Sequence, residues 1–204
     1  RVTGQSLPER TVIAHLGNGC SLAAVRGGHS VATSMGFSTV DGVPMATRSG
    51  AVDPGALLYL MNEHGLDHEE LRDLLYNRSG LLGVSGISAD MKILLESSEP
   101  AAKEAVEFFC YRVVREIGSL AMALGGLDAL VFTGGIGERA APVRAEICRA
   151  AAWLGLDLDE VANARAASRI AKAGSRVSAW IVPTDEESVI ARHALALIQK
   201  RETV

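Results

Sequence analysis

The chain's apolar pattern predicts a mixed α/β fold: a sheet that begins as an antiparallel three-stranded meander and carries helices on both faces. Three observations carry this expectation. Near the start, three short apolar runs are separated by glycine turns. In the middle, one long segment repeats apolar residues at helical spacing. Towards the end, strand-like runs alternate with helix-like ones, as in βα units.

Thr11 to His15, Ser21 to Arg26 and His29 to Ser34 are the three opening runs, divided by Gly17-Asn18-Gly19 and Gly27-Gly28 into two hairpins in series. Gly36 to Gly50 is polar and turn-rich, and the stretch after it ends at Asp53-Pro54, a capping residue followed by proline at the first helical position. A helix is therefore expected over roughly Pro54 to His64, stopped by Gly65. Asp67 and Glu70 have capping-box spacing and start another helix ending near Asn77. Ala101 to Leu124 is the strongest periodic segment: Val106, Phe109, Cys110, Val113, Val114, Ile117, Leu120 and Leu124 share one face before Gly125-Gly126 ends it. Leu127 to Thr133 is continuously apolar, as a strand buried on both faces would be, and it runs into Gly134-Gly135-Ile136-Gly137. A helix is expected from Pro142 to Trp153, a strand from Arg176 to Val182, and a terminal helix ending near Lys200, begun by Thr184 and Glu187 at capping-box spacing.

Composition limits what such a domain does. With 204 residues, 48% hydrophobic, the chain has enough apolar surface for a proper core. The net charge of −4, without a Lys/Arg-rich run, argues against a nucleic-acid groove, which needs clustered cations. No apolar run approaches the ~18 residues of a membrane span. Cys20, Cys110 and Cys148 lie far apart with no CxxC pair, as expected of reduced thiols in the cytoplasm rather than of a disulfide framework or a zinc site.

His15-Leu16-Gly17-Asn18-Gly19-Cys20-Ser21 is the stretch richest in chemical meaning. Glycines let a ligand approach the backbone closely, and successive amides in a tight bend form a concave nest for a phosphate. Asn-Gly between strands is also the usual type I′ hairpin turn, which needs no ligand. Gly134 to Gly137 lies at the carboxyl edge of a strand, where α/β proteins bind ligands, yet a plain connecting turn reads the same. Neither stretch is a Rossmann fingerprint or a Walker A loop. Arg48, in a glycine-flanked irregular segment, is able to fork onto a phosphate or a carboxylate, or else to pair with Asp53 or face solvent. Glu186 is a carboxylate that the expected cap leaves over, a candidate for Mg²⁺. Asp90 is placed to cap a helix, with Lys92 in solvent. Together these parts match what phosphoryl transfer requires, namely positioning and charge stabilisation.

In order along the chain, five segments resemble the C-terminal half of the acetate kinase family, within the acetate and sugar kinase, Hsp70 and actin superfamily. His15-Leu16-Gly17-Asn18-Gly19-x-Ser21 is similar to its phosphate-binding hairpin, and Met45-x-Thr47-Arg48-Ser49-Gly50-x-x-Asp53-Pro54 to its M-G-T-R-x-G-x-x-D-P segment. Ser79-Gly80-Leu81-Leu82-Gly83 matches its S-G-L-L-G, Phe132 to Glu138 its adenosine loop, and Pro183-Thr184-x-Glu186-Glu187 its P-T-N-E-E.

The resemblance implies an actin-like ATPase domain of the ribonuclease H-like class, spanning residues 1–204. It implies ATP plus acetate giving ADP and acetyl phosphate, reversibly, with Mg²⁺ as the cofactor. His15, Gly17, Asn18 and Gly19 would cradle the ATP phosphates. Asp90, Met91 and Lys92, with Gly135, Ile136, Gly137, Glu138 and Arg139, would surround the nucleotide. Arg48 would stabilise the transferring phosphoryl group and Glu186 would serve the metal. Propionate or butyrate as acceptor, or a non-catalytic nucleotide-binding or dimerising module, are the alternatives. The chain departs from the family's usual residues at Lys92 for Arg, Arg139 for Asn, Asp185 for Asn and Ala46 for Gly. Family members have two actin-like halves with the active site between them. The expectation is that the N-terminal domain is absent from this chain, that the chain alone is inactive, and that it forms a homodimer.

Overall fold

The computed structural model describes residues 7–185 and, beyond them, residues 187, 188, 190, 191, 194, 195 and 198, which are helical. The opening meander is formed by β1 (Arg10–Leu16), β2 (Cys20–Arg26) and β3 (His29–Thr33), as the glycine spacing requires. β4 (Ala129–Thr133) and β5 (Ser178–Ile181) complete a five-stranded sheet in the order β3-β2-β1-β4-β5. β1 pairs antiparallel with β2, whereas β4 is parallel both to β1 and to β5. Parallel pairing sends the carboxyl ends of β1, β4 and β5 to one edge, with His15 beside Thr133 and Phe132 beside Ile181.

Period-two alternation decides which residues meet the core. Val12, Ala14 and Leu16 from β1, Leu22 and Ala24 from β2, and Leu130 and Phe132 from β4 are fully or almost fully buried in one cluster. They pack under α5 (Pro100–Leu124), whose buried face contains Val106, Phe109, Cys110, Val113, Ile117, Leu120 and Leu124. Val114, expected on that face, is only partly buried at its margin. On the opposite face of the sheet Ile13, Ala23 and Trp180 are half-buried.

The caps form largely as the residue types dictate. Asp53 accepts from Gly55 N at 2.7 Å and Pro54 opens α1 (Pro54–His64), which Gly65 closes in the left-handed conformation. Asp67 and Glu70 make the reciprocal capping box of α2 (His68–Asn77). α3 (Gly80–Ser85) follows, and Asp90 caps α4 (Met91–Glu96) through Lys92 N at 2.8 Å.

Three expectations are corrected. Gly134 to Arg139 is not a loop ahead of a helix but is itself a helix, α6 (Gly134–Arg139). The following helix, α7 (Ala141–Ala150), stops short of Trp153, which lies in a separate 3-10 turn. Thr184 and Glu187 do not make the expected box. The Thr184 hydroxyl is held by Thr133 and Gly134, and Asp185 accepts from Ser188 N instead. A short α8 (Glu160–Ala164) packs on α7. Among the described residues no helix is long and apolar enough to cross a membrane.

Candidate active site

Because three parallel strand ends share an edge, everything that follows them meets there. The 17–19 bend after β1, α6 after β4 and Thr184 after β5 line one cavity of about 740 Å³, together with His15, Arg48, Asp41, Glu138 and Arg139. A second cavity of about 630 Å³ is lined by Asp90, Met91, Lys92, Ile136 and Ala140. Gly135 and Arg139 line both, so the two spaces adjoin at α6. Each is of the size that small-molecule sites have.

The 17–19 bend is not a type I′ turn. That turn needs positive φ at both central residues, and neither Asn18 nor the flanking glycines has it. Three residues separate the Leu16–Cys20 pair, closed by Gly17 N donating to Gly19 O at 3.1 Å, while Asn18 O accepts from Ala46 N at 3.2 Å. The glycines here differ in kind from Gly134. At Gly134 the backbone is left-handed (φ +79°) and a Cβ would stand 2.7 Å from Leu16 O, so the fold itself demands glycine. A Cβ on Gly19 would meet nothing nearer than Arg48 Nη1 at 3.7 Å, and one on Gly135 nothing within 4 Å. On Gly17 it would lie 3.4 Å from Gly19 O and 3.7 Å from Gly135 N, ordinary contacts. Bare backbone at these three positions answers to no neighbour within the chain.

Arg48 is brought to the bend by an irregular segment stapled to the α2–α3 junction. Leu81 N donates to Met45 O, Ser79 N to Thr47 O, and the Thr47 hydroxyl to Tyr76 O. The Arg48 head group donates to Thr39 O at 3.1 Å and lies 3.8 Å from Met45 Sδ. The Asp53 carboxylate, the other partner considered for it, caps α1 instead. Half-buried His15 lies between Gly17 and Gly134. The Cys20 thiol, beside the bend, donates to Gly17 O at 3.2 Å, and burial pushes it up to about 12, so it is no nucleophile at neutral pH.

Of the residues expected at a nucleotide, His15, Gly17, Asn18, Gly19, Asp90, Met91, Lys92, Gly135, Ile136, Glu138 and Arg139 all line one or both cavities. Gly137 does not: it is buried against Phe132. Lys92 Nζ lies 3.9 Å from Glu96 Oε1, both side chains being exposed. Glu186 lies outside the described residues. Three features were missed by sequence reasoning. Phe37 and Asp41 join the cavity wall from a stretch that reads only as polar and turn-rich, with Met35 just before it. Thr184 engages α6 rather than capping a helix. Arg144 of α7 is 1% exposed and donates to Gly137 O, Glu138 O and both Asn163 oxygens at 2.8–3.0 Å, fixing the end of α6 from behind. A sign of it was present, for Arg144 falls on the same helical stripe as Ile147 and Cys148.

Residues 4–192 match the model of the acetokinase family. The chain belongs to that family. It is 56% identical over 199 residues to an acetate kinase of Rhodopseudomonas palustris, covering 96% of this chain and 50% of that protein. With an acetate kinase of Rickettsia typhi it shares 46% over 197 residues, 97% of this chain and 51% of the relative. The acetokinase fold extends to solved structures: Porphyromonas gingivalis acetate kinase superposes with a TM-score of 0.88 at 37% identity, covering 93% of this chain and 49% of that one. A propionate kinase from Francisella tularensis gives 0.82 at 39%, covering 87% and 46%. The chain thus spans about half the length of the acetokinase relatives it matches, and its mixed sheet with an opening meander is the actin-like ATPase fold.

Proposed function

We propose that this chain is the nucleotide-binding half of an acetate kinase, which moves the terminal phosphoryl group of ATP to the carboxylate of acetate and gives acetyl phosphate and ADP reversibly. The observation that carries the reading is the convergence of Gly17, Gly19 and Gly135, glycines with no steric reason inside the chain, on one cavity beside Arg48. Glycine at these positions leaves the backbone open to phosphate oxygens, although the Gly17 amide itself donates to Gly19 O. The adjoining space at Asp90, Met91 and Ile136 suits the nucleoside, and Arg139, common to both spaces, lies where the two parts of a nucleotide join.

Acetate is already ionised at neutral pH, so the nucleophile needs no base. The obstacle is bringing two anions together. The Arg48 guanidinium, close to the bend, is suited to stabilise negative charge on the transferring group. Glu186 would hold Mg²⁺ directly or through water. A magnesium carried on phosphates needs only one or two protein carboxylates rather than a cage. When bound, the ion neutralises phosphate charge.

The 37% identity to an acetate kinase and 39% to a propionate kinase leave propionate as the second reading of the acceptor. Both readings take the rest of the active site from the other half of the longer protein, so the 204 residues alone bind nucleotide without turnover. A homodimer through this half is supported by α1, which buries none of its residues although it carries Leu58, Tyr59 and Met61. The test is a chimera with this chain replacing the matching half of the Rhodopseudomonas palustris relative, given Mg-ATP, hydroxylamine and either acetate or propionate. Acyl hydroxamate from acetate is expected. Turnover by the isolated chain, or none by a folded chimera, contradicts the proposal.

A further inference from the structure

Glu138 lines the 740 Å³ cavity, yet one oxygen of its carboxylate is already occupied. Oε1 accepts from Gly134 N at 3.1 Å and from Thr184 N at 2.9 Å. The Thr184 hydroxyl accepts from the same Gly134 N at 3.0 Å and shares a 2.7 Å hydrogen bond with the Thr133 hydroxyl. Gly134 N, the first amide of α6, is therefore taken up by the protein and is not free for a phosphate. The four residues form a clasp between two strand ends: Thr133 and Gly134 leave β4, and Thr184 leaves β5. Below the clasp the sheet itself ties the same two chains, with Val182 N donating to Phe132 O at 2.9 Å.

We infer that Glu138 is a positioning residue rather than a ligand contact: its carboxylate holds the start of α6 and the chain leaving β5 in one register, so the two sides of the nucleotide cavity are set together. The inference rests on the nucleotide reading of that cavity and deepens it. Glu138 sits on the last turn of α6 and reaches back to that helix's own first amide, which fixes the direction in which Gly135 and Ile136 present their backbone. The same oxygen fixes Thr184, two residues before Glu186. A carboxylate suits this task, because hydrogen bonds to an ionised acceptor are shorter and stronger than those to a neutral one.

The experiment compares Glu138→Ala, Glu138→Gln and Thr184→Val in the 204-residue chain, reading amide hydrogen exchange by NMR and Mg-ADP binding by calorimetry. In E138A the Gly134 and Thr184 amides are expected to exchange at least tenfold faster and Mg-ADP to bind about tenfold more weakly. In E138Q, whose amide oxygen still accepts, most of both effects is expected to be recovered. Thr184→Val removes only the hydroxyl share of the clasp, so it is expected to speed exchange at Gly134 and to spare the Thr184 amide, which keeps the test open if E138A does not fold. Unchanged exchange in E138A overturns the inference. So does an E138Q chain that keeps its amides protected yet binds Mg-ADP as weakly as E138A, since the charge would then be acting on the ligand itself. Failure of the unsubstituted chain to bind Mg-ADP is a separate result, visible before any variant is made, and it defeats the nucleotide reading along with the role assigned to Glu138 within it.

Discussion

Gly19 and Gly135 give the account its sharpest residue-scale expectation, because what a methyl group would do there is known from the geometry. With no protein atom closer than 3.7 Å to the added carbon, Gly19→Ala and Gly135→Ala should fold as well as the parent. Gly135→Ala should even gain up to about 1 kcal/mol, since alanine loses less backbone entropy in a helix. Both should lose Mg-ADP binding tenfold or more. Urea unfolding paired with calorimetry checks this, and loss of stability without loss of binding would show that the glycines serve the fold. The buried thiols make a second expectation. Burial pushes Cys20 and Cys148 up to about 12 and raises Cys110 as well, so iodoacetamide at pH 8 should leave all three intact until the chain unfolds. Fast alkylation of Cys20 in the native chain would contradict its placement. At this scale the sequence was legible wherever a residue type has one strong local role, as at Asp53, Asp67 and Asp90. It was not legible where two roles compete. Thr184 had capping-box spacing, but a hydroxyl beside the end of β4 found Gly134 N first.

Elements are held to one another by a few polar ties whose removal has a definite sign. Arg144 anchors α6 and α8 to α7 through carbonyls and an amide, with no carboxylate bonded to it among the described residues. Arg144→Met would leave buried oxygens without donors. A loss of about 3 kcal/mol is expected in denaturant unfolding, as for other broken buried networks. A loss below ~1 kcal/mol would show that water replaces the guanidinium. At the far end of the same strands the Arg10 guanidinium beside Asp128 holds that carboxyl below its usual range, with partial burial pulling the other way. A depressed folded value means that the pair's contribution is complete above the unfolded carboxylate's pKa of about 4 and is lost as pH falls through the folded value. Asp128→Asn should therefore be less stable than the parent at pH 7, with the gap closing below about pH 4. A gap of constant size across that range, measured by thermal unfolding, would contradict the pairing. Strands and long helices were readable because their periods repeat. α6 was not, since three glycines in six residues carry no helical signal, and tertiary bonds from Thr184 and Arg144, with a local one from Glu138, supply what propensity lacks.

The whole molecule brings together sites that lie far apart in sequence by one device, the parallel pairing of β1, β4 and β5. That pairing is why the 17–19 bend, α6 and residue 184 share a cavity, and it could be anticipated only as far as the strands themselves could. Phe37, fully exposed in the cavity wall, and the unburied α1 are exposed apolar surfaces, which under the proposed reading the other half of a longer protein and a second copy would cover. Sedimentation should give a dimer, and a monomer at all concentrations would count against contact through α1. The central claim is that the three strand ends bind one nucleotide. Titrating the isotope-labelled chain with Mg-ADP and following backbone amides by NMR tests it most directly. Shifts confined to Gly17, Asn18, Gly19, Gly135 and Ile136, with a second group at Asp90 to Lys92, are expected. No shifts at millimolar nucleotide, or shifts away from these two groups, would contradict it.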